Sequence, residues 1–247
     1  MQREQSYIFG THPIEQALER APETVKRLYV IGGHNSDRLL GRAIELGIPY
    51  DRCDEQHLPR GVDRDAVHQG VVAQVAPQKL LQDYKEFIKT LEINEHTALV
   101  LLDELSDPHN VGAVIRSAAA FGVAGVLIPE HRQAPVNGTV VKVSAGTAFA
   151  VPLVSIGNVN TVLRDLKERG FWVYGLVGGG DTSMTQEQFT KPSVFVLGNE
   201  GKGLREKTEE LCDFKLSIPI EECVESLNAA ASAAVTFYAW RSQHPKE

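Results

Sequence analysis

Three short stretches of this 247-residue chain gather the side chains suited to chemistry: Asn110-Val-Gly-Ala-Val-Ile-Arg116, Leu197-Gly-Asn-Glu-Gly-Lys-Gly-Leu204, and Ser217-Ile-Pro-Ile220 running on to Ser226-Leu-Asn228. Each follows an apolar run and two lead into helix-prone sequence, which is where α/β folds place their ligand loops. They bring a guanidinium (Arg116), a carboxylate (Glu200) and the polar side chains of Asn110, Asn199, Ser226 and Asn228. Gly198, Gly201 and Gly203 allow tight turns and close approach of backbone to a ligand. One shared pocket in an enzyme is the expectation.

Each residue has a plainer reading as well. Asn110 would cap a helix starting at Val111, and Ser226 would cap the last helix. Glu200 would pair with Lys202 in solvent, and Arg116 with Glu104 or Asp107. Cys53, Cys212 and Cys223 are odd in number and lack CxxC spacing, so they read as buried free thiols, with no metal site and no disulfide framework. Gly178-Gly-Gly-Asp181 follows a strand but lacks GxGxxG spacing and reads as a flexible turn. Without that motif or a GxxxxGK[ST] loop, the sequence argues against a dinucleotide oxidoreductase and against P-loop hydrolysis.

The elements around these stretches alternate. Tyr7 to Glu19 has an extended start, a turn and then helical spacing; Val25 to Ile31 reads as a strand, Ser36 to Leu46 as a helix and Val67 to Val75 as a strand. This is a small α/β unit over residues 1–76, and the polar, helix-prone stretch 77–96 reads as a linker. Residues 97–247 continue with strands at Ala98 to Asp103, Val123 to Ile128, Phe171 to Val177, Ser193 to Leu197 and Phe214 to Ile218. Helices fall at Val111 to Phe121, Asn158 to Arg169 and Ser226 to about Arg241. The near-continuous apolar runs suit parallel strands covered on both faces. The final helix, with Ala229, Ala233, Phe237 and Trp240 among its apolar residues, leaves few positions for water and is expected against the sheet or a partner subunit.

Composition sets outer limits. With 43% hydrophobic and 23% charged residues the chain can bury a substantial core. No apolar run reaches the roughly 18–20 residues of a membrane span, and no signal-like segment follows Met1, so an intracellular, cytoplasmic protein is expected. The net charge of −7 requires any nucleic-acid contact to be local. Residues 1–76 carry 9 Lys+Arg against 11 Asp+Glu and are not a basic module.

The segments Asn110 to Ala118 (NVGAVIRSA), Val196 to Leu204 (VLGNEGKGL), and SIPI with ESLNAA over Ser217 to Ala230 resemble the three motifs of the SpoU (TrmH-type) RNA ribose methyltransferases of the SPOUT superfamily. The likeness spans Thr97 to Trp240. YIFGTHPIEQALE and HQGVVAQV resemble the small α/β, L30e-like substrate-binding domain that precedes the catalytic domain in one branch. One departure is visible: Ala229-Ala-Ala-Ser follows Asn228 where family members often carry Val-Ser-Val, which removes a hydroxyl at Ala230.

The resemblance implies an α/β fold with a trefoil-knotted catalytic domain, a rare exception to the rule that chains avoid knots. It implies S-adenosylmethionine as cofactor, held by Leu197, Gly198, Asn199, Gly201, Ile218, Ile220, Ser226 and Leu227, with no metal. It implies transfer of the methyl group to a ribose 2′-hydroxyl, with Arg116 the principal catalytic residue and Asn110, Glu200, Ser226 and Asn228 supporting it. The family is commonly described with this arginine as general base. A guanidinium stays protonated near neutral pH, so clamping a phosphate and polarising the hydroxyl suit it better. The implied partners are a second copy of the chain and RNA, foremost a guanosine in the peptidyl-transferase loop of 23S ribosomal RNA, with transfer RNA as the alternative. A non-catalytic RNA- or ribosome-binding protein is the reading from another class. Arg3, Tyr7, His12, Arg60 and His68, with Asp107, His109 and His131, are candidates for RNA contact.

Overall fold

The computed structural model describes residues 6–31, 34–54, 57–59, 62 and 67–245. Arg3 and Arg60 lie outside them. The chain forms two units, one of residues 1–81 with 136–150, the other of residues 82–135 with 151–247.

In the first unit, β1 (Ser6–Phe9), β2 (Val25–Val30), β3 (Tyr50–Arg52) and β4 (Val71–Val75) make a sheet in the order β1-β4-β2-β3. β4 runs antiparallel to both neighbours, and β3 runs parallel to β2. Helices α1 (Thr11–Arg20) and α2 (His34–Glu45) accompany it, and α1 turns Ile14, Ala17 and Leu18 inward. Nothing local caps α1: Gly10 has no side chain, and Gln69 supplies the acceptor instead, its Oε1 taking bonds from the Thr11 main-chain N–H (3.0 Å) and hydroxyl (3.1 Å). Tyr7 is buried at 7% exposure, beside Tyr29, and presents no face for a base to stack on.

The segment 136–150, which lies in sequence within the second part, makes its contacts in this first unit. It carries α5 (Gly138–Val143) and a 3-10 turn at Thr147–Phe149. The close fit explains two glycines. A Cβ at Gly146 would stand 3.0 Å from the Pro13 Cα, and one at Gly138 3.3 Å from the Ser6 Cβ.

The second unit is an eight-stranded sheet in the order β10-β12-β9-β11-β6-β7-β8-β5. Its strands are β5 (Leu81–Asp83), β6 (Ala98–Asp103), β7 (Gly125–Pro129), β8 (Leu153–Ile156), β9 (Trp172–Leu176), β10 (Thr182–Ser183), β11 (Ser193–Gly198) and β12 (Phe214–Ser217). The pairings from β10 to β8 are all parallel. All six residues of β6 are buried: the apolar run Ala98 to Leu102 suits a central parallel strand, and Asp103 closes it. Leu99 and Leu101 join the core beneath α3 (Tyr84–Thr90) and α6 (Val159–Glu168), with Phe87, Ile88, Val162 and Leu166. On the other face, Phe195 of β11 meets Phe237 of α8 (Ala229–Gln243), which packs beside α4 (Pro108–Phe121). A short α7 (Glu206–Glu209) precedes β12.

The stretch 77–96 therefore departs from the reading as a linker. Pro77–Leu80 is a 3-10 turn, β5 joins the sheet edge, and α3, capped by Asp83, buries Phe87 and Ile88. Its polar surface concealed two core residues one helical step apart. The thiols differ too: Cys53 and Cys212 are half-buried and Cys223 is exposed, because the segment around it stands in solvent. Burial pushes the Cys212 thiol up to about 12, with Glu209 and Asp213 adding to the effect. No helix among the described residues is long and apolar enough to cross a membrane.

Candidate active site

The chain order reverses at the centre of the large sheet. β6 leads to β7 and β8 on one side, and β9 then starts on the other, with β11 returning between β9 and β6. Loops leaving the carboxyl ends of β6 and β11 diverge there, which is where open parallel sheets form ligand crevices. The loop after β6 starts helix α4. Asp107 caps that helix, its side chain accepting from the His109 N–H at 2.8 Å. Asn110 is thereby released from the capping role the sequence allowed it.

Asn110, 8% exposed, donates from Nδ2 to Glu200 Oε1 at 3.0 Å and accepts at Oδ1 from Asn228 Nδ2 at 2.9 Å. The oxygen of Asn228 accepts from the N–H groups of Ala230 and Ala231, so Asn228 caps α8, in the position expected of Ser226. One chain of hydrogen bonds thus joins all three stretches across 90 and 118 residues of sequence. Glu200 also accepts weakly from Ser106 and from the Asp107 N–H, and does not pair with Lys202.

Partial burial alone would push the Glu200 carboxyl up. Hydrogen bonds from Asn110 and from the main chain of Glu200, Ser106 and Asp107 outweigh it and hold the group below the ordinary carboxylate value. A depressed folded pKa stabilises the loop fully above the unfolded value of 4.5, and that contribution disappears as pH falls through the lower folded value. The stability Glu200 contributes is therefore expected to stay level from neutrality down to about 4.5 and to fall below it. In Glu200→Gln the acid limb should be shallower, as unfolding measured over a pH series will show.

The Leu197–Leu204 loop has its own fixings. Asn199 Oδ1 accepts from the N–H groups of Gly201 and Lys202, both at 3.1 Å, while Nδ2 donates to the Glu104 carbonyl at 2.9 Å. The main chains of Asn199 and Gly203 exchange two bonds, at 3.0 and 2.9 Å. Gly203 has φ +69°, which favours glycine. A Cβ at Gly198 would lie 2.3 Å from the Gly203 carbonyl carbon. Below the loop, buried Asp103 accepts from Arg205 Nε at 2.8 Å, tying the end of β6 to the start of α7.

A cavity of about 790 Å³ opens at this edge. Leu197, Gly198, Asn199 and Gly201 line it from one loop, and Ile218, Ile220, Ser226 and Leu227 from another. Glu200 lines it as well, whereas Asn110 and Asn228 stand behind Glu200. Arg116 is not in this wall. It is exposed on α4, off the buried stripe of Asn110, Val111, Val114 and Ile115, and has no ion pair with Glu104 or Asp107.

A third wall escaped the sequence reading. Leu176 to Asp181, after β9, line the cavity, so Gly178–Gly180 form a site wall and not a plain flexible turn. Gly179 has φ +73°, and a Cβ at Gly180 would lie 2.4 Å from the Lys215 carbonyl oxygen. The available signal was a glycine triplet directly after a buried strand.

The cavity suits S-adenosylmethionine in size and charge. Its volume lies in the range of sites for drug-sized ligands, roughly 300–1,000 Å³. Asp181, Glu200, Glu209 and Glu225 face Lys202 and Lys215, and Lys215 is neutralised by Glu209 at 2.6 Å. The negative balance favours a ligand with both a sulfonium and an ammonium. Among the described residues, no group of three or more His, Cys, Asp or Glu is placed to hold a metal ion.

Residues 97–238 match the SpoU rRNA Methylase family, and residues 7–81 match the RNA 2′-O ribose methyltransferase substrate-binding family. The 23S rRNA (guanosine-2′-O-)-methyltransferase RlmB of Escherichia coli K12 is 36% identical over 236 residues, covering 94% of this chain and 96% of that protein. RlmB of Pseudomonas aeruginosa is 37% identical over 235 residues, covering 94% of each. The solved structure of the SpoU methyltransferase AviRb from Streptomyces viridochromogenes, in complex with AdoMet, superposes with a TM-score of 0.80 at 25% identity, over 97% of this chain and 90% of that one.

Proposed function

The chain belongs to the SpoU rRNA Methylase family, and from that membership we propose that it methylates the ribose 2′-hydroxyl of a guanosine in 23S ribosomal RNA, with S-adenosylmethionine as donor. The observation that carries the reading is the Glu200–Asn110–Asn228 chain of hydrogen bonds, which draws the three motif stretches together at the mouth of one cavity. The peptidyl-transferase loop is the expected location of the target.

The bound cofactor supplies an electrophilic methyl group on a sulfonium. In this reading the eight loop residues that line the cavity hold it, with Gly198 and Gly203 letting the backbone come close. Glu200 is a weak base, since its hydrogen bonds already stabilise its charged form; its part is to fix the loops and to present negative charge to the cavity. Asn110 and Asn228 hold Glu200 in place, and Ser226, at the cavity wall, orients ligand groups. Arg116 binds an RNA phosphate and polarises the ribose hydroxyl, whose proton passes to solvent water as the oxygen–methyl bond forms and the sulfur–methyl bond breaks to leave a neutral thioether.

Two structural parts of the proposal go with this. The segment after β12 passes through the loops that line the cavity before α8 packs on α4, in the manner of the family's trefoil knot. A second copy of the chain then covers the exposed Val224, Leu227, Val235 and Tyr238 and brings Arg116 to its neighbour's cavity. The place of action is the cytoplasm.

The test uses purified protein and radiolabelled S-adenosylmethionine with unmodified 23S RNA and with transfer RNA. Label is expected in 23S RNA. Label in transfer RNA alone would replace the substrate, and cofactor binding with label in neither RNA would favour a ribosomal-particle substrate or the non-catalytic reading.

A further inference from the structure

We propose that the loop after β7 is an additional RNA-contact element beside the transfer site, with Arg132 taking a backbone phosphate and the Gln133 amide hydrogen-bonding a nucleotide. The inference rests on the functional reading above and adds residues that the three motifs do not contain.

The loop leaves the carboxyl end of β7, next to β6 in the sheet, and is pinned there. The Ala134 N–H donates to the Leu105 carbonyl at 2.9 Å, and the Glu130 N–H to the Ile156 carbonyl at 3.0 Å. Four non-glycine residues among those described have a left-handed backbone, and two of them, Glu104 (φ +67°) and Arg132 (φ +57°), face each other here. Such conformations are uncommon outside glycine and accumulate where local geometry serves a site. The carbonyl of Glu104 holds Asn199, so Arg132 is one residue removed from the loop bearing Glu200.

Arg132 is poorly used inside the protein. Its side chain is 77% exposed, and its ion pair is a long one, 3.5 Å to Glu104, a carboxylate that Arg205 also approaches at 3.6 Å. A pair so exposed contributes little, which leaves the guanidinium fork available to a phosphate. A chain of net charge −7 depends on such local cations to hold RNA.

The neighbouring residue provides an independent sign. Both amide atoms of Gln133 are buried with no hydrogen-bond partner. A buried amide without partners is penalised, and a nucleotide edge brought against this loop would supply the donor and acceptor it lacks. An amide, with donor and acceptor side by side, matches the edge of an unstacked base in a single-stranded RNA loop.

The test compares Arg132→Ala, Arg132→Lys and Gln133→Met in the full chain, by methyl transfer to 23S RNA and by direct RNA binding over a salt series. Arg132→Ala is expected to raise the KM for RNA about tenfold and to lower the slope of log affinity against log salt by about one, with the KM for cofactor unchanged. Arg132→Lys should restore the slope and only part of the affinity, because the fork is lost. Gln133→Met fills the same space without the orphan amide, so its melting temperature should hold or rise while RNA affinity falls about threefold. Unchanged RNA affinity and salt slope in Arg132→Ala would overturn the proposal, as would a Gln133→Met protein with wild-type RNA affinity. If the wild-type protein transfers no methyl group to 23S RNA, the functional reading fails; the binding series still decides for or against this loop.

Discussion

Arg116→Ala is expected to lower methyl transfer by about 10²–10⁴-fold, the range typical for loss of a group that assists proton movement in the transition state. Cofactor affinity should stay within about twofold and the melting temperature should scarcely change, since surface substitutions away from special features seldom exceed roughly 0.5 kcal/mol. The reason is the position of the residue: Arg116 is exposed on α4, outside the cavity wall and without an ion pair among the described residues. A side chain with no such local partner is free to act on something that arrives. Single-turnover rates and cofactor binding on the same preparation check both halves. Arg116→Lys separates the two roles, because a lysine retains the charge for a phosphate and loses the bidentate fork. Partial recovery is expected from a clamp.

Gly198→Ala is expected to weaken cofactor binding about 10- to 100-fold, corresponding to the roughly 1–3 kcal/mol that overpacking costs. The added methyl would lie 2.3 Å from the Gly203 carbonyl carbon and 2.5 Å from the Leu204 nitrogen. Both are backbone atoms, and Gly203 is bonded twice to Asn199, so the strain passes straight into the ligand loop. Gly201→Ala makes a contrast. Its Cβ would meet only Asn199 Oδ1, at 3.8 Å, in a backbone conformation open to alanine, and a much smaller loss is expected. Equilibrium binding of labelled S-adenosylmethionine to the two variants distinguishes a loop defined by backbone approach from one in which every glycine counts alike.

The unequal glycines show where the sequence was legible. The apolar run Ala98 to Leu102, closed by Asp103, marked the position of β6, because a strand buried on both faces is built from near-continuous apolar side chains. The helix expected from Asn158 begins there, with Asn158 as the cap of α6, a feature that depends on neighbouring residues alone. Capping at the site itself was misassigned by a few residues. Asp107 and Asn228 took the work expected of Asn110 and Ser226, since several good caps stood close together and only tertiary contacts chose among them. The first helix could not have been capped on paper at all: its acceptor comes from Gln69, 58 residues away.

Long-range arrangement was legible only through the family resemblance. Spacing does not show that Glu200 meets Asn110, or that Leu176 to Asp181 face Leu197 to Leu204 across a cavity. Segment 136–150 is a similar case. Its helix is six residues long, and its glycines are explained by Pro13 and Ser6, which belong to a distant part of the sequence.

The most direct measurement of the central claim is nucleoside analysis of 23S RNA labelled by the protein from S-adenosylmethionine. The account predicts the label in 2′-O-methylguanosine, at a linkage that resists alkali because its hydroxyl is methylated, and no label with Arg116→Ala. Label recovered on a base, in alkali-sensitive RNA, would contradict it.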